Sequence, residues 1–199
     1  MTATSYSLVG DIGGTNARFA LVREGEVQPQ AIEVLPCSDY ENLDAAIVDY
    51  LRRAGVEAVG QACLAVASPV QGTQVRMTNN HWRFDIEDVR QQFGWSAFKV
   101  INDFTAMALG VPHAPESHLV HVCGGPGDPR RPRLVMGPGT GLGVSGLVPI
   151  HNGWVPLMTE GGHVDYAPTD DLEMQVLQIL RARFGRVSVE RILCGQGLL

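Results

Sequence analysis

Apolar and polar positions alternate in short blocks over the first third of the chain and then switch to helical spacing, a change of period that separates strands from helices. Strands are predicted over residues 6–11, 17–23 and about 27–35, forming a meander. Ser38-Asp39-Tyr40-Glu41 has the form of a capping box, and Leu43, Ala46, Ile47, Tyr50 and Leu51 continue the helix it would open with one apolar stripe. Ala62 to Ala67 reads as a short buried strand ended by Pro69, and a second capped helix is predicted from Asp85 to Phe93. Lys99-Val100-Ile101 then runs as a strand straight into a helix through Asn102-Asp103-Phe104-Thr105-Ala106. Gly124 to Pro132, rich in Gly, Pro and Arg, reads as an exposed loop. Beyond it, Leu134 to Met136 and Val144 to Val148 flank a glycine turn, and short strands reach about Leu157. A helix from about Leu172 to Phe184 carries Leu172, Val176, Ile179, Leu180 and Phe184 on one side. Strands first, then alternating β and α units, predict an α/β architecture with two lobes.

At 199 residues and 45% apolar content the chain can bury a core, roughly 70% of its unfolded surface. Its 15 basic and 21 acidic residues give a net charge of −6. With one basic cluster, Arg130, Arg131 and Arg133, the chain has no footprint for nucleic acid or an anionic membrane surface. No apolar run is long enough to cross a bilayer. Met1-Thr2-Ala3-Thr4-Ser5 lacks the charge and hydrophobic segment of a secretory signal, so a cytoplasmic protein is expected. Cys37, Cys63, Cys123 and Cys194 lie far apart without metal-ligand spacing and read as reduced thiols or small buried hydrophobes. Lys99 is the only lysine among the basic residues and follows no glycine loop, which excludes a Walker A site.

The chemistry concentrates in two turns. Asp11-Ile12-Gly13-Gly14-Thr15-Asn16 and Gly137-Pro138-Gly139-Thr140-Gly141-Leu142-Gly143 each join two apolar runs. A strand, a glycine hairpin with a hydroxyl at its tip and a second strand let backbone N–H groups converge on an anion. Two such hairpins suggest two hands on one polyphosphate. Around the first, Asp11 can orient Mg²⁺ or its waters, while Thr15, Asn16 and Arg18 can bind phosphate oxygens, although a glycine pair at a hairpin also serves as plain turn chemistry. The spacing Gly141-x-Gly143-x-x-Gly146 fits a dinucleotide fingerprint, but that motif needs a helix after the loop, and Val144 to Val148 reads as strand. Asp103 sits where a strand's carboxyl end meets a helix N-terminus, the usual ligand position in open α/β sheets. The helix dipole favours its charged form, which suits a base for phosphoryl transfer. The simpler reading is that Asp103 only caps the helix. In Glu160-Gly161-Gly162-His163 a carboxylate and an imidazole can partner sugar hydroxyls, or His163 can be an ordinary hydrogen-bonded loop residue. Glu190 reads as a helix-start acid, Asn79 as a loop cap and Trp82 as a core aromatic.

Taken together, Leu8 to Arg18, Met77-Thr78-Asn79 with Trp82, Ile101 to Ala106, Gly137 to Gly143 and Glu160-Gly161-Gly162-His163-Val164-Asp165 resemble the bacterial ATP-dependent glucokinases of the hexokinase–actin superfamily, outside its repressor branch. The resemblance runs from about residue 6 to the last residue. It implies a two-lobed actin-like, ribonuclease-H-like ATPase fold, with residues 1–112 as the small lobe and 113–199 as the first part of an incomplete large lobe. It implies transfer of a phosphoryl group from Mg-ATP to the 6-hydroxyl of glucose, with Asp103 as general base. Asn102, Glu160, His163 and Glu190 would bind the other hydroxyls. Asp11, Gly13, Gly14, Thr15, Asn16, Gly139, Thr140 and Gly141 would surround ATP, Asp11 acting through Mg²⁺ with no direct protein ligand to the metal. Glucose and ATP are the implied partners, and a homodimer is one assembly the family allows. Family members continue well past Leu199, which leads to an expectation of weak or absent turnover in this chain and leaves a non-catalytic sugar-binding fragment as the alternative.

Overall fold

The computed structural model describes residues 6–68, 70, 72–125, 127–128 and 130–199. Pro69, expected to end a strand, lies outside the described residues, as do Pro126 and Pro129 of the expected loop. The chain divides into two compact units, Met1–Ala106 and Met107–Leu199.

The first unit is built on a five-stranded sheet. β1 (Tyr6–Ile12), β2 (Asn16–Arg23) and β3 (Pro29–Pro36) form the expected antiparallel meander. β4 (Gln61–Val66) and β7 (Ala97–Asn102) run parallel to β1, giving the order β3-β2-β1-β4-β7. A hairpin of β5 (Gln74–Arg76) and β6 (Arg83–Asp85) stands apart. Two helices belong to this unit's connections, α1 (Leu43–Ala54) and α2 (Ile86–Gln92), and α3 (Asp103–Gly110) leaves the end of β7. The five stripe residues of α1 are all buried and share one core with Leu8, Ile12, Leu64, Val66 and Trp82.

The start of α1 corrects one expectation. Asn42, not a box at Ser38, caps it, its side chain accepting the Ala45 N–H at 2.9 Å. Cys37–Asp39 instead closes a 3₁₀ turn, and Asn42, the residue immediately before the helix, already has the extended backbone that a cap needs.

In the second unit β8 (Arg133–Pro138), β9 (Leu142–Ile150) and β10 (Gly153–Leu157) form an antiparallel meander with β9 in the middle. α4 (Asp171–Phe184) is capped by Asp170. Of the apolar residues expected on one side of it, none is fully buried, and Leu172 and Ile179 are each 69% exposed. Burial here centres on Ser145, Leu147, Val187, Ser188 and Cys194.

Tyr50 ties α1 to the sheet edge. Its hydroxyl donates to the Ala31 carbonyl at 2.9 Å, beside an irregularity in the β2–β3 register where Ala31 holds a positive φ of 51°. Burial pushes the Tyr50 phenol up to about 12, so the folded state keeps a proton that the unfolded chain loses near its ordinary value of about 10. The stabilisation is therefore complete below that value and declines as pH rises towards the folded one. Tyr50→Phe is expected to cost about 1 kcal/mol at neutral pH and to make the alkaline loss of stability shallower. Urea unfolding at neutral and alkaline pH checks this, and an unchanged alkaline slope would remove Tyr50 as its source.

Candidate functional site

The first glycine turn joins β1 to β2, whose register sets Asp11 opposite Arg18. Arg18 Nη1 lies 3.2 Å from Asp11 Oδ2, with both side chains more than half exposed. Such a pair adds at most about 1 kcal/mol. Asp11 Oδ1 has no partner among the described residues, which suits a group that meets Mg²⁺ through one carboxylate oxygen or a water.

Within the turn three carbonyls are engaged. Asn16 O accepts Gly13 N–H at 2.9 Å and Thr15 O accepts Cys37 N–H at 2.8 Å. Gly13 O accepts Asn80 Nδ2 at 3.0 Å. The N–H groups of Gly14 and Thr15 have no acceptor among the described residues, so consecutive amides are left for an anion. Gly14 is required sterically, since a Cβ there would stand 2.7 Å from the Asn79 Cβ and 3.0 Å from its carbonyl oxygen.

Asn79 and Trp82 were flagged in the sequence, but Asn80 does the bracing. While its amide nitrogen holds Gly13 O, its Oδ1 accepts Trp82 N–H at 2.8 Å. Trp82 is buried and donates Nε1–H to Tyr40 O at 3.2 Å. The available signal was an Asn two residues before another backbone N–H, the spacing of an Asx turn. Cys37 packs behind the same turn, and burial pushes its thiol up, as befits a packing residue.

Asn102 and Asp103 occupy the junction of β7 and α3. Asn102 Oδ1 accepts Phe104 N–H at 3.0 Å and Thr105 N–H at 3.2 Å, so Asn102 is the helix cap. Asp103 is released from that duty and tethered instead. Its Oδ1 accepts Asn102 Nδ2–H at 2.9 Å and Phe104 N–H at 2.7 Å. Asp103 Oδ2 has no partner among the described residues.

The parallel register brings these pieces to one edge. Ile12 pairs with Val66, and Val66 with Asn102, so β1, β4 and β7 end in the same row. Gly13 and Asp103 each follow by one residue. Two strand spacings set their backbones roughly 10 Å apart along the carboxyl edge of the sheet.

The second unit gathers the remaining predicted residues. At its glycine turn Gly139 N–H donates to Gly141 O at 2.7 Å, and Gly139 O accepts Gly195 N–H at 2.8 Å. Thr140 and Gly141 again present consecutive N–H groups with no acceptor among the described residues, and the Thr140 side chain is exposed. A strand, β9, follows this turn, so the helix that a dinucleotide site needs is replaced. The 3₁₀ turn Gly161–His163 is tied to the turn Val189–Arg191 by Val189 N–H to Val164 O at 2.9 Å. Arg186 further holds the His163 carbonyl and the Asp165 carboxylate, both at 2.7 Å. His163 consequently lies 3.5 Å from Glu190 Oε1 by Nδ1 and 3.8 Å from Glu160 Oε2 by Nε2. These separations exceed a good hydrogen bond and leave the three groups able to take other partners.

A family model described as Glucokinase matches residues 8–199. The chain belongs to the glucokinase family. Across its whole length it is 81% identical to a glucokinase of Marinobacter nauticus, of which it covers 62%, and 58% identical to one of Hahella chejuensis, again covering 62%. Its structure matches a crystal structure of glucokinase from an Antarctic psychrotroph with a TM-score of 0.90 at 35% identity, over 98% of this chain and 62% of that one. The expected α/β, actin-like fold is borne out, and the chain spans about three-fifths of the length of the glucokinases it matches.

Asn80→Ala removes the amide partner of Gly13 O, leaving it only the Cys37 thiol at 3.8 Å, together with the partner of Trp82 N–H, and is expected to destabilise the first unit by about 1–3 kcal/mol. Chemical denaturation measures this. A loss confined to a few tenths of a kcal/mol would show that the turn holds without the brace.

Proposed function

We propose that this chain carries the phosphate- and sugar-binding groups of a glucokinase that transfers the γ-phosphoryl group of ATP to the 6-hydroxyl of glucose, giving glucose 6-phosphate and ADP. The observation that supports this most strongly is the shared edge of β1, β4 and β7. There the backbones of Gly13 and Asp103 leave the sheet roughly 10 Å apart, the first leading to the Gly14 and Thr15 amides, which have no acceptor among the described residues, and the second carrying the tethered carboxylate.

Asp103 acts as the base. Asn102 and the Phe104 amide fix one of its oxygens, and the other accepts the proton of the 6-hydroxyl. The hydroxyl oxygen forms its bond to the γ-phosphorus while the bond to the β–γ bridging oxygen breaks, and ADP leaves with that electron pair. The transition state is largely dissociative, so orientation and late proton removal serve better than a strong base. Gly13, Gly14, Thr15 and Asn16 in the first unit, and Gly139, Thr140 and Gly141 in the second, bind phosphate oxygens. Bound Mg²⁺ supplies neutralisation of phosphate charge, and Asp11 is the residue that meets it. The second amide hydrogen of Asn102, with Glu160, His163 and Glu190, recognises the other hydroxyls. A sugar lacking one would leave these polar groups unpaired, which is how such a site discriminates. On this reading residues 1–112 form the small lobe and 113–199 the beginning of the large lobe of a cytoplasmic enzyme.

Asp103→Asn keeps the tether and removes the proton acceptor. Turnover in a coupled glucose 6-phosphate assay is expected to fall by about 10²–10⁴-fold, with glucose affinity by calorimetry nearly unchanged. Near-normal turnover would defeat the base assignment. Separate calorimetric titrations with glucose and with Mg-ATP address the sugar-binding alternative, which requires binding of the first without the second.

A further inference from the structure

Glu190 is attached to its surroundings by the backbone bonds of a 3₁₀ turn, and its side chain is 28% exposed. Its two oxygens have different partners. Oε2 accepts the Leu142 N–H at 2.9 Å, the first amide after the second glycine turn, while Oε1 lies 3.5 Å from His163 Nδ1. The carboxylate reaches Leu142 through space that a side chain at position 141 would fill. A Cβ on Gly141 would come within 2.5 Å of Oε2 and 3.2 Å of the carboxyl carbon.

Gly141 has no left-handed backbone, so its conformation alone does not call for glycine. By contrast, a Cβ on Gly139 in the same turn would meet nothing within 4 Å. What Gly141 supplies, and Gly139 does not, is room for a carboxylate.

We propose that Gly141 is a positioning residue for the sugar side of the site: by lacking a side chain it lets Glu190 lock onto the Leu142 amide, which aims the second carboxylate oxygen beside His163 for a hexose hydroxyl. This rests on the glucokinase reading above. A glycine that the sequence assigns to the phosphates thus acts on the sugar through Glu190. The bond is charge-assisted, and it freezes a side chain with several rotatable bonds before any sugar arrives, which lowers the cost of binding.

A ligand-free mutant cycle tests the contact. Gly141→Ala is expected to lower the melting temperature by a few degrees in the starting chain, and by less than about 1 °C in a Glu190→Ala background, where the clash is gone. Equal losses in both backgrounds would overturn the proposal, because the glycine would then be serving the backbone. The amide proton of Leu142 provides a second reading by NMR. It is expected far downfield in the starting chain and to move upfield in Gly141→Ala and in Glu190→Gln, and an unmoved resonance would overturn the bond.

Calorimetry then tests the consequence. Gly141→Ala is expected to weaken glucose binding by about tenfold or more. Unweakened glucose binding would overturn the inference and leave the kinase reading standing. A starting chain that binds no glucose would defeat the kinase reading itself, with the mutant cycle still deciding whether Gly141 positions Glu190.

Discussion

A backbone turn presents its amides to an anion best when most of its carbonyl oxygens have partners elsewhere, because a carbonyl dipole aimed at the same place would repel the anion. Both glycine turns meet this condition with different parts. In the first, Asn80, the Cys37 amide and the Gly13 amide take three carbonyls. In the second, Gly195 and Gly139 take two. Each turn is left with a pair of consecutive N–H groups, Gly14 with Thr15 and Thr140 with Gly141. Glycine is needed less for flexibility than for thinness: the first turn is backed by Asn79 and the second by the Glu190 carboxylate.

The same division of labour governs the carboxylate at α3. The cap itself, which takes the Phe104 and Thr105 amides, is not Asp103. Asn102 caps in its place and spends its amide nitrogen on Asp103 Oδ1. One oxygen is thereby fixed and its twin left open, an arrangement suited to receiving a proton at a defined point. The parallel register of β1, β4 and β7 then brings that oxygen to the edge from which the first turn departs.

Most of the elements could be read in the chain because their signals are local. The α1 stripe, the strands flanking both glycine turns and the β7–α3 junction follow from periodicity and turn chemistry alone. What escaped depended on partners distant in sequence. Ser38 and Glu41 satisfy the spacing of a capping box, yet Asn42 lies closer to the first buried position, and Tyr40 O is occupied by Trp82 and approached by His81 Nε2. Asn80 carries no local mark beyond its Asx-turn spacing, since its decisive bond runs 67 residues back to Gly13. The link from Glu190 to Leu142 spans 48 residues, and neither residue type at either end announces it. Cys37 and Cys194 are buried as expected of small hydrophobes, a reading that composition alone permits.

The second unit shows that a site can be set without a well-buried helix above it. Leu172 and Ile179 of α4 and Leu134 and Met136 of β8 remain largely exposed, and covering such side chains contributes about 1.5–3 kcal/mol each. At these positions that stabilisation is not realised. The groups that fix Glu160, His163 and Glu190 do not draw on it. They rest on Leu147, Val187 and Cys194, which are buried, on backbone bonds between residues 164 and 189 and between 139 and 195, and on a near approach at Gly162, where a Cβ would collide with the Leu142 carbonyl. Geometry of this kind is enforced by hydrogen bonds and steric exclusion at short range. Stability of the unit and arrangement of its polar cluster are therefore separable quantities, and a loss of the first does not by itself imply a loss of the second.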